Sequence, residues 1–229
     1  MSLVLTTVPL RAAEKLSFST IEGSINSLIS GIVVAEAYRR IGIETVIRPF
    51  PGERSLSYSN KGVTDGELFR IAGITEKYSN LIMVPVPVNI QDAMVITKQT
   101  EFAVNGWDSL KPYTVGIRRG IKFSGKGTEG MTPLIVDSNE SLFKILDAGR
   151  TNVIVITRVN GLDMLRQLKI PGIRTLEPPI ESYPLYHYLH KKNKHLMPKI
   201  TVALQEMEKK GLIKKIRARF IAERFGSNE

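Results

Sequence analysis

The sequence contains no cysteine. That absence excludes disulfides, a thiolate nucleophile and zinc–thiolate centres, and it leaves the redox compartment open. Histidine is scarce too: three residues argue against a multi-histidine metal site, and neither a metal nor a cofactor is expected. No apolar run approaches the roughly 18 residues that a membrane-crossing helix needs. There is no nucleophile elbow, zinc-ligand spacing or Walker-type phosphate loop, so the common signatures of acyl-transfer, metal and nucleotide chemistry are missing.

What is present is ordinary globular composition, 42% hydrophobic and 24% charged, which argues against disorder. At 229 residues the chain is long for one compact domain and short for two independent ones. The net charge of +10 would suit nucleic acid, an anionic surface or an acidic ligand. Its location decides among these. Residues 191–229 hold 11 Lys and Arg against 4 Asp and Glu, a net +7; the first 190 hold 21 against 18, a net +3. The basic segment shares its length with two apolar stripes (Ile200, Leu204 and Met207; Ile213, Ile216 and Phe220), so its charges read as the solvated faces of two amphipathic helices. No nucleic-acid motif appears, and no nucleic-acid partner is expected.

Strand and helix patterns alternate along the chain. Leu16 to Thr20 alternates like a strand, and Asn26 or Ser27 can cap a helix with Leu28, Ile32, Ala35 and Arg39 on one stripe, ending at Gly42. Strands are expected at Glu44–Arg48, Asp65–Ile71, Ile82–Val86 and Met94–Thr97, with a short helix from Glu53 to Gly62. A second set has strands at Tyr113–Ile117, Pro133–Val136, Asn152–Ile156, Ile173–Leu176 and Leu185–Leu189, a helix capped by Ser138, and another over Gly161–Leu168. This order predicts an α/β fold with largely parallel sheets. A helix, Gly62 and Asp65 before a strand are echoed by a helix, Gly149 and Asn152 before a strand, which suggests two similar lobes.

Four segments carry a family resemblance. Pro51-Gly-Glu-Arg-Ser-Leu with Lys61-Gly-Val-Thr-Asp-Gly-Glu resembles "G-E-R … G-x-x-D-G"; Tyr113-Thr-Val-Gly-Ile-Arg-Arg-Gly resembles "V-G-V-x-x-G". Asp147 to Thr157 resembles "G-x-x-D-A-V-x-x-D", and Leu185 to Asn193 with Met207-Glu-Lys-Lys-Gly resembles a return crossing and an "M-x-x-x-G" helix end. In order and spacing these resemble the bacterial extracellular solute-binding proteins of family 3, the polar amino-acid-binding type, over roughly residues 15 to 222. The resemblance implies a two-lobed class II periplasmic-binding-protein-like fold, each lobe a mostly parallel sheet flanked by helices. It implies lobe 1 from residues 1–96 and 187–229, lobe 2 from 97–186, and hinge crossings near Ile96 and Tyr186. It further implies capture of a small polar solute by hinge closure for ABC-type import. A membrane permease or a sensor is the implied partner, the chain acts as a monomer, and the location is periplasmic. Met1 to Val8 is mildly apolar but lacks a positive n-region and is interrupted by Thr6, Thr7 and Pro9, so a leader would already have been removed, or the protein is cytoplasmic.

The expected ligand contacts are Glu22, Ser24, Arg54, Lys77, Arg118, Arg119, Thr157, Arg158 and Tyr186, most of them at the ends of strands, where open α/β sheets bind ligands. Each has a plainer reading. Arg54 suits a solvated first helical turn, Thr157 a helix cap, and the Tyr183–His190 cluster a packed sheet face. Where the family places a carboxylate-binding Arg, Lys77 falls; where it places an Asp for an amino group, Thr157 falls, followed by Arg158. Losing that counter-charge points to a carboxylate-bearing or other polar solute without a free ammonium. Two alternatives accompany this reading: a sensing module docking on a signalling partner, and a cyclohexadienyl-dehydratase-like enzyme. The acid–base candidates for the latter are Glu22, Glu53, Glu67 and His187, which form no recognisable pair; an enzyme is not expected.

Overall fold

The computed structural model describes residues 15–226, so the reading of Met1 to Val8 lies outside the described residues. Eight strands are present among them: β1 (Lys15–Ile21), β2 (Glu44–Phe50), β3 (Gly66–Arg70), β4 (Leu81–Thr97), β5 (Val115–Arg118), β6 (Leu134–Val136), β7 (Val153–Thr157) and β8 (Arg174–His190). The helices are α1 (Ile25–Arg39), α2 (Gly52–Asn60), α3 (Lys122–Gly127), α4 (Asn139–Asp147), α5 (Arg158–Leu168), α6 (Met197–Lys209) and α7 (Leu212–Phe225).

The strands form one ladder in the order β2-β1-β3-β8-β4-β7-β5-β6. Strand β1 runs parallel to β2 and β3, and β5 parallel to β6 and β7. Between these two parallel blocks, β4 and β8 pair antiparallel from Leu81 opposite His190 to Thr97 opposite Arg174. The expectation of separate strands at Ile82–Val86 and Met94–Thr97, and at Ile173–Leu176 and Leu185–Leu189, is therefore corrected: each pair is one 17-residue strand. Pro85, Pro87, Pro178, Pro179 and Pro184 interrupt the alternation that marks a strand, and the ladder accommodates its irregularity with register shifts between Met83 and Pro87 and again before Val95.

The apolar interior divides although the ladder does not. One cluster gathers Phe18, Val33, Tyr38, Leu68, Val84, Leu189, Ile200 and Leu204. Two others gather Ala93, Val95, Leu110, Val115 and Val153, and Ile96, Leu142, Phe143, Leu146 and Ile154. Strand β4 serves the first through Val88 and the others from Ala93 onward. Ile96 pairs with Ile154 in the β4–β7 ladder, which begins at Ala93.

Helix α1 shows why periodicity alone misjudged a face. Leu28 and Ile32 are 49% and 46% exposed, while Ile29, Val33, Val34, Ala37 and Tyr38 are buried. The helix is apolar around most of its circumference, so several stripes fit the sequence and packing selects one. Its N-cap position is Ser24, not Asn26 or Ser27. Ser138 caps α4 as expected, its hydroxyl accepting from the Ser141 N–H at 3.0 Å.

His187 belongs to the first core. It is fully buried against Phe18, with Nε2 3.1 Å from the Tyr38 hydroxyl and Nδ1 3.2 Å from the Leu68 carbonyl oxygen. Burial pushes its pKa from 6.5 down to about 4. The unfolded chain takes up a proton near pH 6.5 that the native ring refuses until about pH 4, so stability falls as pH drops through that window. The expected loss is about 3 kcal/mol, and His187→Gln removes it. Urea unfolding of both proteins between pH 7.5 and 4.5 checks this; parallel stability profiles would show that the ring titrates normally.

Candidate ligand cleft

The ends of β1, β3 and β7, and the turn after β5, meet between the divided cores. They bring Ser24, Arg70, Thr157 and Lys122 to one narrow cleft, with Gln91 of β4 at its base and Asn160 of α5 on its wall. Ile21, Phe69, Ile121 and Phe123 supply its apolar surface. Its volume is about 30 Å³, room for about two water molecules.

Contacts across the cleft hold it shut. The N–H of Ile25, in the first turn of α1, donates to Asn160 Oδ1 at 2.7 Å. Arg118 Nη2 donates to the Glu22 carbonyl at 2.9 Å, and Asn139 Nδ2 to the Gly23 carbonyl at 3.2 Å. Lys122 forms an ion pair with Glu53, whose other oxygen accepts from the Tyr78 hydroxyl at 2.8 Å. Partial burial would raise the Glu53 pKa, but the hydrogen bonds from Lys122 and Tyr78 outweigh it and hold the carboxyl below its usual value. Backbone meets backbone at Gly52 and Gly120: a Cβ on Gly52 would stand 2.7 Å from the Gly120 carbonyl oxygen.

Two donors and two helix ends face this space. Thr157, the N-cap residue of α5, is buried, yet its Oγ1 makes no cap bond and has no hydrogen-bond partner among the described residues. Its expected role as a side-chain cap is therefore corrected. Ser24 at the start of α1 makes no side-chain cap bond either, and neither helix has an acidic residue in its first turn. The positive ends of both dipoles point at the cleft without a carboxylate of their own.

Beneath the cleft lies a buried polar network. Arg70 Nε donates to Glu67 Oε1 at 2.7 Å, and Arg70 Nη2 to the Gly52 carbonyl at 2.9 Å. Ser55 and Ser59 donate to the same carboxylate at 2.8 and 3.1 Å. Burial pushes the Glu67 pKa up, against the pull of Arg70 and the two serines. This network ties β3 to the start of α2 beneath the cleft.

Of the residues singled out from sequence, Ser24 and Thr157 line the cleft, and Arg118 with the Glu22 backbone bridges its edge. Lys77 and Tyr186 border two wider adjoining grooves of about 580 and 410 Å³, the second also lined by Trp107 and Tyr183. Three lie elsewhere. Arg54 is exposed on α2. Arg119, in the turn just past β5, pairs with Asp137 at 2.7 Å on the surface. Arg158 turns from the cleft to Glu177 at 2.7 Å and Asp92 at 3.4 Å. Sequence reasoning missed Arg70, Gln91, Lys122 and Asn160. Arg70, the last residue of β3, and Lys122 and Asn160, each following a strand by three or four residues, were within reach of the strand-end rule; Gln91 lies within a strand and gave no such signal.

No family model matches the chain. In sequence it is similar to an uncharacterized protein of Shewanella oneidensis, 25% identical over 192 residues, which cover 80% of this chain and 72% of that one. In structure it is similar to an ancestral arginine-binding protein bound to arginine, at 18% identity and a TM-score of 0.74, covering 90% of this chain and 97% of that one. A histidine kinase sensor domain with similarity to periplasmic binding proteins gives a TM-score of 0.74 at 15% identity, covering 90% and 96%. An amino-acid ABC transporter substrate-binding protein of Streptococcus pneumoniae bound to L-arginine gives 0.71 at 14%, covering 91% and 95%. The chain thus has the periplasmic-binding-protein-like fold that its motifs imply.

Two substitutions probe this construction. Gly52→Ala places a methyl against the Gly120 carbonyl. That contact must then part, and small-angle scattering should give a larger radius of gyration with little change in unfolding midpoint. An unchanged radius would show that the contact does not set the distance between these two segments. Glu67→Leu leaves Arg70 buried without its counter-charge and should cost about 3–5 kcal/mol in denaturant unfolding. A loss within experimental error would mean that the network carries no such weight.

Proposed function

We propose that this protein is a periplasmic solute-binding protein that captures a small carboxylate-bearing solute between two lobes by hinge closure and delivers it to an ABC-type permease. The lobes correspond to the divided cores, and the hinge to the middle of the β4–β8 ribbon, around residues 89–92 and 182–185. A volume of about 30 Å³ admits no organic solute, so uptake requires the cleft to open.

The observation that carries the reading is the set of donors converging on the cleft. The start of α1, Thr157 Oγ1 and Lys122 all face it, and the Ile25 N–H at the start of α1 is met by the neutral amide oxygen of Asn160. A solute carboxylate replaces that neutral oxygen with a charged acceptor, which makes a stronger bond. The carboxylates nearest the cleft are committed: Glu67 is held by Arg70, and Glu53 by Lys122 and Tyr78. The arginine and glutamine seen in similar proteins are therefore not the ligands expected here.

Binding is favoured over catalysis by the same geometry. His187 is sealed in the core, Glu67 in the network under the cleft, and Glu53 in its bonds to Lys122 and Tyr78, so three of the four acid–base candidates are committed to structural contacts. The similarity to a kinase sensor domain supports a second reading, in which the closed form docks on a signalling partner instead of a permease.

A thermal-shift and calorimetric screen tests the ligand class. Small mono- and dicarboxylates should raise the unfolding midpoint and be recovered unchanged, and Lys122→Gln should weaken the best of them about tenfold. Tight binding of a free amino acid, with no response to carboxylates, would overturn the ligand assignment.

A further inference from the structure

We propose a second ligand site, for a small organic oxyanion, in the groove between α7 and the start of α5. The groove lies on the other face of the β4–β8 ribbon from the cleft. Gln91 and Asp92 are neighbours in a regular stretch of β4 and so point to opposite faces. Gln91 enters the cleft; Asp92 enters a separate groove of about 640 Å³. That is the size of a small-molecule pocket.

Two guanidinium groups converge there, Arg158 from α5 and Arg217 from α7. Asp92 stands between them, its Oδ2 3.4 Å from Arg158 Nε and 3.9 Å from Arg217 Nη2, and its Oδ1 accepts from Ser182 at 2.6 Å. Arg158 is further gripped by Glu177 at 2.7 and 3.1 Å. Arg217 is the underused cation. Its Nε is buried with no hydrogen-bond partner among the described residues, and its ion pair with Asp92 is at the limit of contact. A buried guanidinium N–H without an acceptor is costly, and a planar fork matches a phosphate or carboxylate in bidentate fashion.

The rest of the groove fits an apolar body behind such a head. Ile221 forms its floor, and Ala218 and Ala222 leave the volume open where larger side chains would fill it. Ile221 also packs with Ile25, Ile29 and Val159, so the groove adjoins the contact between α1, α5 and α7. An anion held by Arg158 and Arg217 touches elements attached to both cores and stabilises their present arrangement, whatever solute the cleft takes.

Calorimetric titration with phenyl phosphate tests the site, with inorganic phosphate and benzoate as competitors to separate the contributions of head group and ring. The native protein should bind phenyl phosphate saturably and gain unfolding temperature with it. Arg217→Gln should weaken binding about tenfold or more, whereas Lys209→Gln, the same loss of charge on the exposed part of α6, should not. Ala218→Met, which fills the groove without touching a charge, should also weaken it. Near-ultraviolet circular dichroism establishes that each variant is folded. No saturable binding to the native protein, or binding that survives both groove substitutions, would overturn the proposal; since none of these changes touches the cleft, that outcome would leave the cleft's own ligand reading standing.

Discussion

Strands β4 and β8 pair antiparallel over most of their 17 residues, and both halves of the molecule depend on that ribbon. A parallel block needs a crossover for each strand and cannot be extended by a tight turn. Here each block instead adds its strands outward from one side of the ribbon, β3 on β8 and β7 on β4. The ribbon's middle is polar where its two ends are apolar. Asn89 is buried and donates to Asn26 Oδ1 and the Ser30 hydroxyl, and Gln91 and Asp92 follow it. Buried polar groups must be paired with polar groups, so no continuous apolar core can pass through this point. The division of the interior follows, and the cleft opens where the division falls.

That constraint also explains what could be read from sequence and what could not. The parallel strands were legible because β1 alternates and β7 is an unbroken run of β-branched residues. The closing helices were legible for the same kind of reason: Ile200, Leu204 and Met207 keep a helical period and are buried at full depth. The ribbon was not legible as one element, because five prolines punctuate it and its bulges shift the alternation. Nor could the face of α1 be chosen, since the sequence offers more than one apolar stripe and only contact with β3 and α6 decides.

The candidate site was legible in position more than in identity. Strand ends pointed to Ser24, Arg118 and Thr157, all of which stand at or beside the cleft. Side-chain direction was the missing quantity. Arg118 and Arg119 are adjacent and equally basic, yet one bridges to the Glu22 carbonyl and the other pairs with Asp137 at the surface. The pairing of Arg70, which also stands at a strand end, was hidden for a different reason. The residue sits in a strand whose every residue is buried, and nothing in the local pattern reveals that Glu67, three residues earlier, accepts its guanidinium across a register irregularity.

The same pairing limits what the cleft can recognise. An arginine near a ligand site ordinarily reads as a carboxylate clamp, but Arg70 gives its Nε to Glu67 and its Nη2 to the Gly52 carbonyl. Removing it from those partners would strand a buried carboxylate, at a cost of several kcal/mol. The cations that can exchange partners cheaply are the half-exposed ones, of which Lys122 is the member at the cleft wall. Under the proposed reading, recognition rests on the Lys122 ammonium, two helix ends and one unpaired hydroxyl. A cleft rich in donors favours a ligand that brings acceptors. The carboxylates Glu67 and Glu53 are already committed, to Arg70 and to Lys122 and Tyr78, so under the proposed reading the cleft favours an acid over an amine.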